Sequence, residues 1–168
     1  VSYRGTEVSI DGGSGGDTLT LAAMGGITAV DFSVAAGNDQ TAGDSVVITN
    51  FENLNAAIAT TALTVKASAG GGYITTGSGN DTITGGAGGD NINAGAGDDT
   101  IDGSGGGDTI SAGSGNDTVS YYGTEAAIDG GTGTNSLILK AAATVNLGNA
   151  DQTTSDLSTV TNFQNVEI

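Results

Sequence analysis

Residues 76–120 divide without gaps into five nine-residue units, TGSGNDTIT, GGAGGDNIN, AGAGDDTID, GSGGGDTIS and AGSGNDTVS. The sixth position is Asp in every unit (Asp81, Asp90, Asp99, Asp108 and Asp117), and the eighth is aliphatic (Ile83, Ile92, Ile101, Ile110 and Val119). A flexible Gly-rich linker has no reason to keep an aliphatic residue at every ninth place, so the period marks a stacked repeat architecture. Positions 6 to 9 read as a short strand, with position 7 outward, the aliphatic eighth inward and position 9 outward again. Gly at positions 1, 2 and 4 opens turn dihedrals closed to residues with a Cβ and lets carbonyl oxygens converge. Each unit is then half a coil. Two make one turn of a flattened solenoid, and alternate units stack on the same edge about 4.8 Å apart.

The acidic side chains narrow what those turns can hold. Nineteen Asp and Glu against three Lys and Arg give a net charge of −16. Nucleic acid and anionic membrane surfaces would repel such a chain. No run of 18 apolar residues exists for insertion into a bilayer. No basic, apolar N-terminal signal is present, so any export signal is expected outside this segment. Cys and His are both absent, which removes disulfides and the thiolate and imidazole ligands of zinc, iron and copper. Oxygen donors alone point to a hard cation, calcium above all. Without His there is no Ser-His pair, and carboxylates committed to a metal cannot also act as acid and base. The chain reads as a non-enzyme.

The units follow the pattern G-G-x-G-x-D-x-U-x and resemble the RTX (repeats-in-toxin) calcium-binding nonapeptide family. A further copy, GGSGGDTLT, stands at 12–20, and a degenerate one, GGTGTNSLI, at 130–138 with Asn135 in place of Asp. Units 67–75 and 121–129 keep an aliphatic eighth residue, Ile74 and Ile128, without the Asp. The resemblance implies an all-β fold, a right-handed parallel β-roll, with calcium between loop n and loop n+2. Its ligands would be carbonyls of positions 1 to 4 and the Asp carboxylates of both loops. The loop residues are then Thr76, Gly77, Ser78 and Gly79; Gly85, Gly86, Ala87 and Gly88; Ala94, Gly95, Ala96 and Gly97; Gly103, Ser104, Gly105 and Gly106; and Ala112, Gly113, Ser114 and Gly115. One edge carries Asp81, Asp99 and Asp117, which makes two complete sites. The other carries Asp90 and Asp108, which makes one, so at least three ions are expected. Asn135 is expected to lend a neutral oxygen to a weaker site reached from Asp117. The partner loop of Asp17 would lie upstream of Val1, so its site is expected to be empty or completed by another molecule.

A longer period overlies the short one. VSYRGTEVSIDGGSGGDTLTL at 1–21 matches VSYYGTEAAIDGGTGTNSLIL at 119–139, while NDQT at 38–41 and TNFENL at 49–54 match ADQT at 150–153 and TNFQNV at 161–166. The chain thus reads as one solenoid fragment. Residues 1–20 are the end of one RTX block, 21–66 calcium-free β coils, 67–138 the main block with its core at 76–120, and 139–168 calcium-free β coils. A separate small β domain competes with that reading for the segments between the blocks. Ile27–Val34, Ser45–Thr49, Leu63–Val65 and Thr144–Leu147 have strand composition. AIATTAL at 57–63 has the composition of a short helical turn, and Phe51 and Phe163 are candidates to fill the interior. Glu7 and Glu125 are expected to be solvated or bonded to their turns, Asp98, Asp102, Asp11 and Asp129 to be solvated, and Asp39, Asp44, Asp151 and Asp156 to be loop acids. Tyr3, Tyr121 and Tyr122 read as edge packing.

Stacked acids repel one another, so the metal-free block is expected to be largely disordered, with calcium supplying folding free energy. Extracellular calcium modules bind at about 10⁻⁴–10⁻³ M, which suits a chain threaded out unfolded and folded outside. The resemblance implies a protein secreted by, or on the surface of, a Gram-negative bacterium and exported by a type I system. The favoured reading is a structural repeat of a large secreted adhesin, biofilm or surface-layer protein. A roll that assists secretion and folding of an attached exported enzyme or toxin is the alternative, as is a polysaccharide-binding module. Neighbouring repeats are the expected partners, with end-to-end self-association through open solenoid ends.

Overall fold

A coil of eighteen residues, two nine-residue units, sets the strand pairing throughout the repeat block. The computed structural model describes residues 1–154 and 156–168; Ser155, inside the acidic loop 149–156, lies outside them. Among the described residues all regular structure is β, in twenty strands of two to four residues. Two eight-stranded sheets carry most of it. The first runs Ser2–Tyr3, Thr18–Leu21, Asn53–Asn55, Tyr73–Thr75, Asn91–Asn93, Thr109–Ser111, Ala127–Asp129, Thr159–Thr161, every neighbour parallel. The second runs Asn165–Glu167, Ser136–Leu139, Thr118–Tyr121, Thr100–Asp102, Thr82–Thr84, Thr64–Lys66, Ala29–Asp31, Thr41–Ala42, parallel except for its last pair. Successive strands of the chain alternate between the two sheets through the block, and the fold is a parallel β-roll.

The eighth-position residues face each other across the interior. Val65, Ile83, Ile101, Val119 and Leu137 are in register along one sheet, and Ile74, Ile92, Ile110 and Ile128 along the other. All nine are buried. Thr64–Lys66 pairs in register with Thr82–Thr84, so IATTALTVK at 58–66 is a further coil with Leu63 at the sixth position. The helical turn at 57–63, the alternative to a further coil, therefore does not form: the chain makes a single tight turn, Ala59 N–H to Ala56 O, and then extends.

The long period appears in three dimensions as an exchange of sheets. Ser2–Tyr3, Thr18–Leu21 and Asn53–Asn55 open the first sheet, whereas their sequence counterparts Thr118–Tyr121, Ser136–Leu139 and Asn165–Glu167 close the second. Ser9–Asp11 and Val47–Thr49 form a separate parallel pair, and their counterparts Ala127–Asp129 and Thr159–Thr161 make the same pairing at the end of the first sheet. The first connector thus carries the first sheet on into the repeat block while the second sheet starts there. Buried Gln40 fixes the crossing: its Nε2 donates to Phe51 O at 2.9 Å and its Oε1 accepts from Phe51 N–H at 2.8 Å. Gln152 does the same with Phe163, at 2.8 and 2.7 Å. Both Phe rings are buried and fill the interior at the crossing. The second copy is six residues shorter, and among the described residues its Thr144–Val145 strand pairs only with Thr153–Thr154, whereas Ala29–Asp31 joins the second sheet.

Candidate metal centre

Position six forms a ladder on each edge of the roll. Asp81 N–H donates to Asp99 Oδ1 at 2.7 Å, Asp99 N–H to Asp117 Oδ1 at 2.9 Å, and Asp117 N–H to Asn135 Oδ1 at 2.9 Å. Leu63 N–H begins that ladder on Asp81 Oδ1 at 2.8 Å. On the other edge Gly72 N–H donates to Asp90 Oδ1 at 2.8 Å and Asp90 N–H to Asp108 Oδ1 at 2.9 Å. One oxygen of each carboxylate is therefore spent on holding the coil beneath it. The other is the chemically telling one: Oδ2 of Asp81, Asp99, Asp108 and Asp117 is buried without a hydrogen-bond donor. The fifth rung differs, since Gly86 N–H reaches Asp90 Oδ2 at 2.8 Å.

The turns between these rungs stack backbone on backbone. Ala96 N–H donates to Gly77 O, Ser114 N–H to Gly95 O and Gly105 N–H to Gly86 O, at 2.8, 2.9 and 3.3 Å. A Cβ on Gly113 would overlap the Gly95 carbonyl, and one on Gly95 that of Gly77. Gly95 and Gly113 also sit at φ of 99° and 107°, where only Gly is unstrained. The turn residues at 76–79, 85–88, 94–97, 103–106 and 112–115 are thus brought together in two stacks, each with position-six carboxylates at its inner side. Thr76 Oγ1 donates to Ala94 O at 2.7 Å, which shows how closely the first-position groups of adjacent coils approach.

Burial makes these carboxylates reluctant anions. Desolvation pushes Asp99 up to about 7 and Asp108 up to about 6, with repulsion from Asp81 and Asp90 respectively adding to it. Asp81, Asp90 and Asp117 are raised for the same primary reason. A divalent cation against the unsatisfied oxygens would invert that preference and hold them ionised. The donor set fits calcium: hard carboxylate oxygens, two per pair of coils, with main-chain carbonyls able to accept a second interaction. Among the described residues no three acidic side chains cluster together, so any such site must be completed by main-chain carbonyls.

The ends of the ladders differ from the Asp rungs. Asn135 Oδ1 accepts from Asp117 N–H, and its Nδ2 donates to Gly130 O at 2.7 Å and Asn162 O at 3.1 Å. The amide fills the space where the Asp rungs present an unsatisfied oxygen. Asp17 does have a coil stacked on it within this chain, because Thr18–Leu21 pairs with Asn53–Asn55 and Glu52 Oε2 accepts the Asp17 N–H at 2.9 Å. Glu52 and its counterpart Gln164, whose Oε1 accepts from Asn135 N–H at 2.7 Å, are position-six residues that the sequence pattern missed. Neither follows a Gly-rich turn; the signal was the D-x-U-x-like spacing in ENLN and QNVE.

The remaining acids are structural. Asp98 is a rung of a second ladder at position five, with Asp98 N–H on Asn80 Oδ1 at 3.0 Å and Asn116 N–H on Asp98 Oδ1 at 2.7 Å. The opposite edge carries Gly89 and Gly107 at that position and has no such ladder. Glu125 is buried and accepts from Tyr122 and Thr124 N–H; Glu7 does the same with Arg4 and Thr6. Tyr3 and Tyr121 are buried, and Tyr121 donates to Asp156 Oδ2 at 2.8 Å, so they are packing residues. Tyr122 donates to Asp102 Oδ2 at 3.1 Å.

A parallel β-roll whose turns stack buried, half-satisfied carboxylates against close-packed carbonyls is a calcium-binding repeat module. The sequence matches the RTX calcium-binding nonapeptide repeat over residues 67–101 and again over 84–119, and this part of the chain is similar to that family. No curated protein and no solved structure matches the chain.

Proposed function

We propose that the chain is a calcium-stiffened structural repeat of a large secreted RTX protein of the adhesin, biofilm-matrix or surface-layer kind. The observation that carries the calcium part is the row of buried Oδ2 atoms without donors on Asp81, Asp99, Asp108 and Asp117. Calcium would lie between Asp81 and Asp99, between Asp99 and Asp117, and between Asp90 and Asp108, completed by carbonyls of the intervening turns. Three ions follow from that pairing. The ion supplies charge neutralisation across stacked carboxylates; the chain's own residues orient them, the Oδ1 ladders by fixing each rotamer and the Gly turns by admitting the carbonyls.

Without calcium the block is a chain of buried like charges with few large side chains to hold it, and we take it to be largely unfolded in a calcium-poor compartment and folded after export. The structural role rests on the tandem unit: two copies of one connector, with the same Gln-Phe crossing, serve extension of a roll better than they serve a single catalytic partner. Far-UV circular dichroism of the whole chain in EDTA and during a calcium titration, with magnesium as control, tests this. The expected result is a coil spectrum converting to β between about 10⁻⁴ and 10⁻³ M calcium and not with magnesium. A β spectrum already present in EDTA refutes it.

A further inference from the structure

The two edges of the repeat block differ in what they present to solvent. One carries the Asn80, Asp98 and Asn116 ladder at position five; the other carries Gly89 and Gly107 there. Where those side chains are missing, the surface holds an open groove of about 720 Å³, a ligand-sized volume. It is lined by the two glycines and by the outward seventh-position row of the first sheet, Asn53, Tyr73, Asn91 and Thr109. The groove therefore crosses four coils, along the axis of the roll. Tyr73 is 68% exposed, whereas Tyr3 and Tyr121 are buried packing residues. Its ring has no place in the core.

The polar members of the row divide into committed and free groups. Asn53 is committed: its Oδ1 accepts from Tyr73 N–H at 2.9 Å and its Nδ2 donates to Asp17 O at 3.1 Å. The Asn91 amide and the Thr109 hydroxyl are exposed and make no side-chain hydrogen bond among the described residues. An exposed aromatic ring followed by a free amide and a free hydroxyl complements a ligand with an apolar ring face and a rim of hydroxyl groups. A pyranose has both. Neighbours in the row stand one strand spacing apart, about 4.8 Å, close to the length of one sugar unit in an extended glycan. A peptide strand fits less well, because the strands beneath the groove have their N–H and C=O groups paired within the sheet and offer it no main-chain partners. The row itself carries no charge, while the chain as a whole carries −16. That field repels an anionic glycan and leaves a neutral one free to approach.

We propose that this groove binds a neutral polysaccharide, with Tyr73 stacked on one pyranose ring and Asn91 and Thr109 bonded to hydroxyls of the units that follow along the roll axis. The inference rests on the folded roll that the calcium reading supplies, and adds to it a ligand for the roll's outer face.

The test is isothermal titration calorimetry of the whole chain in saturating calcium, with its fold checked by circular dichroism. The probes are cellohexaose, laminarihexaose, isomaltohexaose and chitohexaose, with an oligouronate of the same length as the charged control. At least one neutral hexamer should bind, and more tightly than the oligouronate. Tyr73→Ala should weaken that binding about tenfold or more, and Tyr73→Trp should preserve it. Both should keep the calcium-induced β spectrum, since the ring lies outside the core. Gly107→Asn brings the side chain of the opposite edge into the groove at a place where a Cβ meets only Thr124 O, at 4.0 Å, and should also weaken binding. A folded chain that binds none of the neutral hexamers, or a Tyr73→Ala variant of unchanged affinity, overturns the groove and leaves the calcium reading standing. Tighter binding of the oligouronate overturns the assignment to a neutral ligand. A β spectrum already present in EDTA overturns the calcium reading alone, and a chain that stays unfolded in calcium overturns both.

Discussion

Asp99→Asn separates the two forces that act on the ladder. Asp99 is the middle rung, with Asp81 N–H on its Oδ1 at 2.7 Å and its own N–H on Asp117. Asn keeps the Oδ1 acceptor and puts an NH₂ group where Oδ2 has no donor, as Asn135 does at the end of the same ladder. Burial raises the Asp99 carboxyl from 3.8 to about 7. Holding its charge in the metal-free fold above pH 7 therefore costs at most about 4 kcal/mol, less whatever solvent screening recovers. The folded pKa lies above the unfolded one, so the cost is absent below about pH 4, grows between 4 and 7, and is complete beyond. The variant escapes it, and should show more β structure than wild type in EDTA at pH 8, by circular dichroism and urea titration. It also strips a carboxylate from the two sites that share Asp99, so its calcium midpoint should rise several-fold while wild type in saturating calcium stays the more stable of the two. The gap in EDTA should narrow as pH falls from 7 toward 4. A variant no more structured than wild type in EDTA at pH 8, or a gap that persists unchanged at pH 4, refutes the claim that charge burial is what calcium overcomes.

Protons compete with calcium through the metal-free state, and that state is unfolded, with carboxylates near the ordinary Asp value of about 3.9. The calcium concentration needed for half folding should therefore stay flat between about pH 7.5 and 5 and rise only as pH falls toward about 4; a rise that begins near pH 7, where Asp99 titrates in the metal-free fold, refutes an unfolded metal-free block. Ile101, buried between Ile83 and Val119, should cost about 2–5 kcal/mol on truncation to Ala, read as a lower melting temperature in saturating calcium. Gly113→Ala drives a methyl group into the Gly95 carbonyl at a φ of 107° and should abolish the calcium-induced transition of its edge, whereas Gly13→Ala, with open space around it, should cost only about 1–3 kcal/mol of backbone strain. Thermal melts of both variants in calcium compare them directly.

The repeat block was legible because its determinants are strictly local and periodic. Asp at position six and Ile or Val at position eight name the ladder and the core, and strand phase follows from the spacing alone. The phase even extends to Val65, but Leu63 replaces the Asp there and Ala-rich IATTAL carries no turn glycines, so the coil reads as something else. Glu52 and Gln164 escaped for a different reason. Their place in the ladder is set by the Gln-Phe crossing of each connector, a contact between residues eleven apart that no nonapeptide phase encodes. The partners of the Asn135 nitrogen, the Gly130 and Asn162 carbonyls, were not legible, because which atom faces them depends on Asp117 N–H occupying the other side. Asp98 is exposed, as expected of an acid outside position six, but its hydrogen bonding was not legible. Its rung at position five depends on Asn80 and Asn116 stacking one coil away on either side.

The sheet exchange gives the long period a physical purpose. Within a block, a coil needs only its neighbour, and the inward ladder could end at any rung. At the connector, Leu19 pairs with Leu54, which pairs with Ile74, so an apolar row begun in one block passes through the connector into the next without interruption. The other sheet stops there, and a new one starts from the antiparallel pair at Ala29–Asp31 and Thr41–Ala42. A break in both sheets at once would make a hinge; a break in one, bridged by the other, makes a stiff joint.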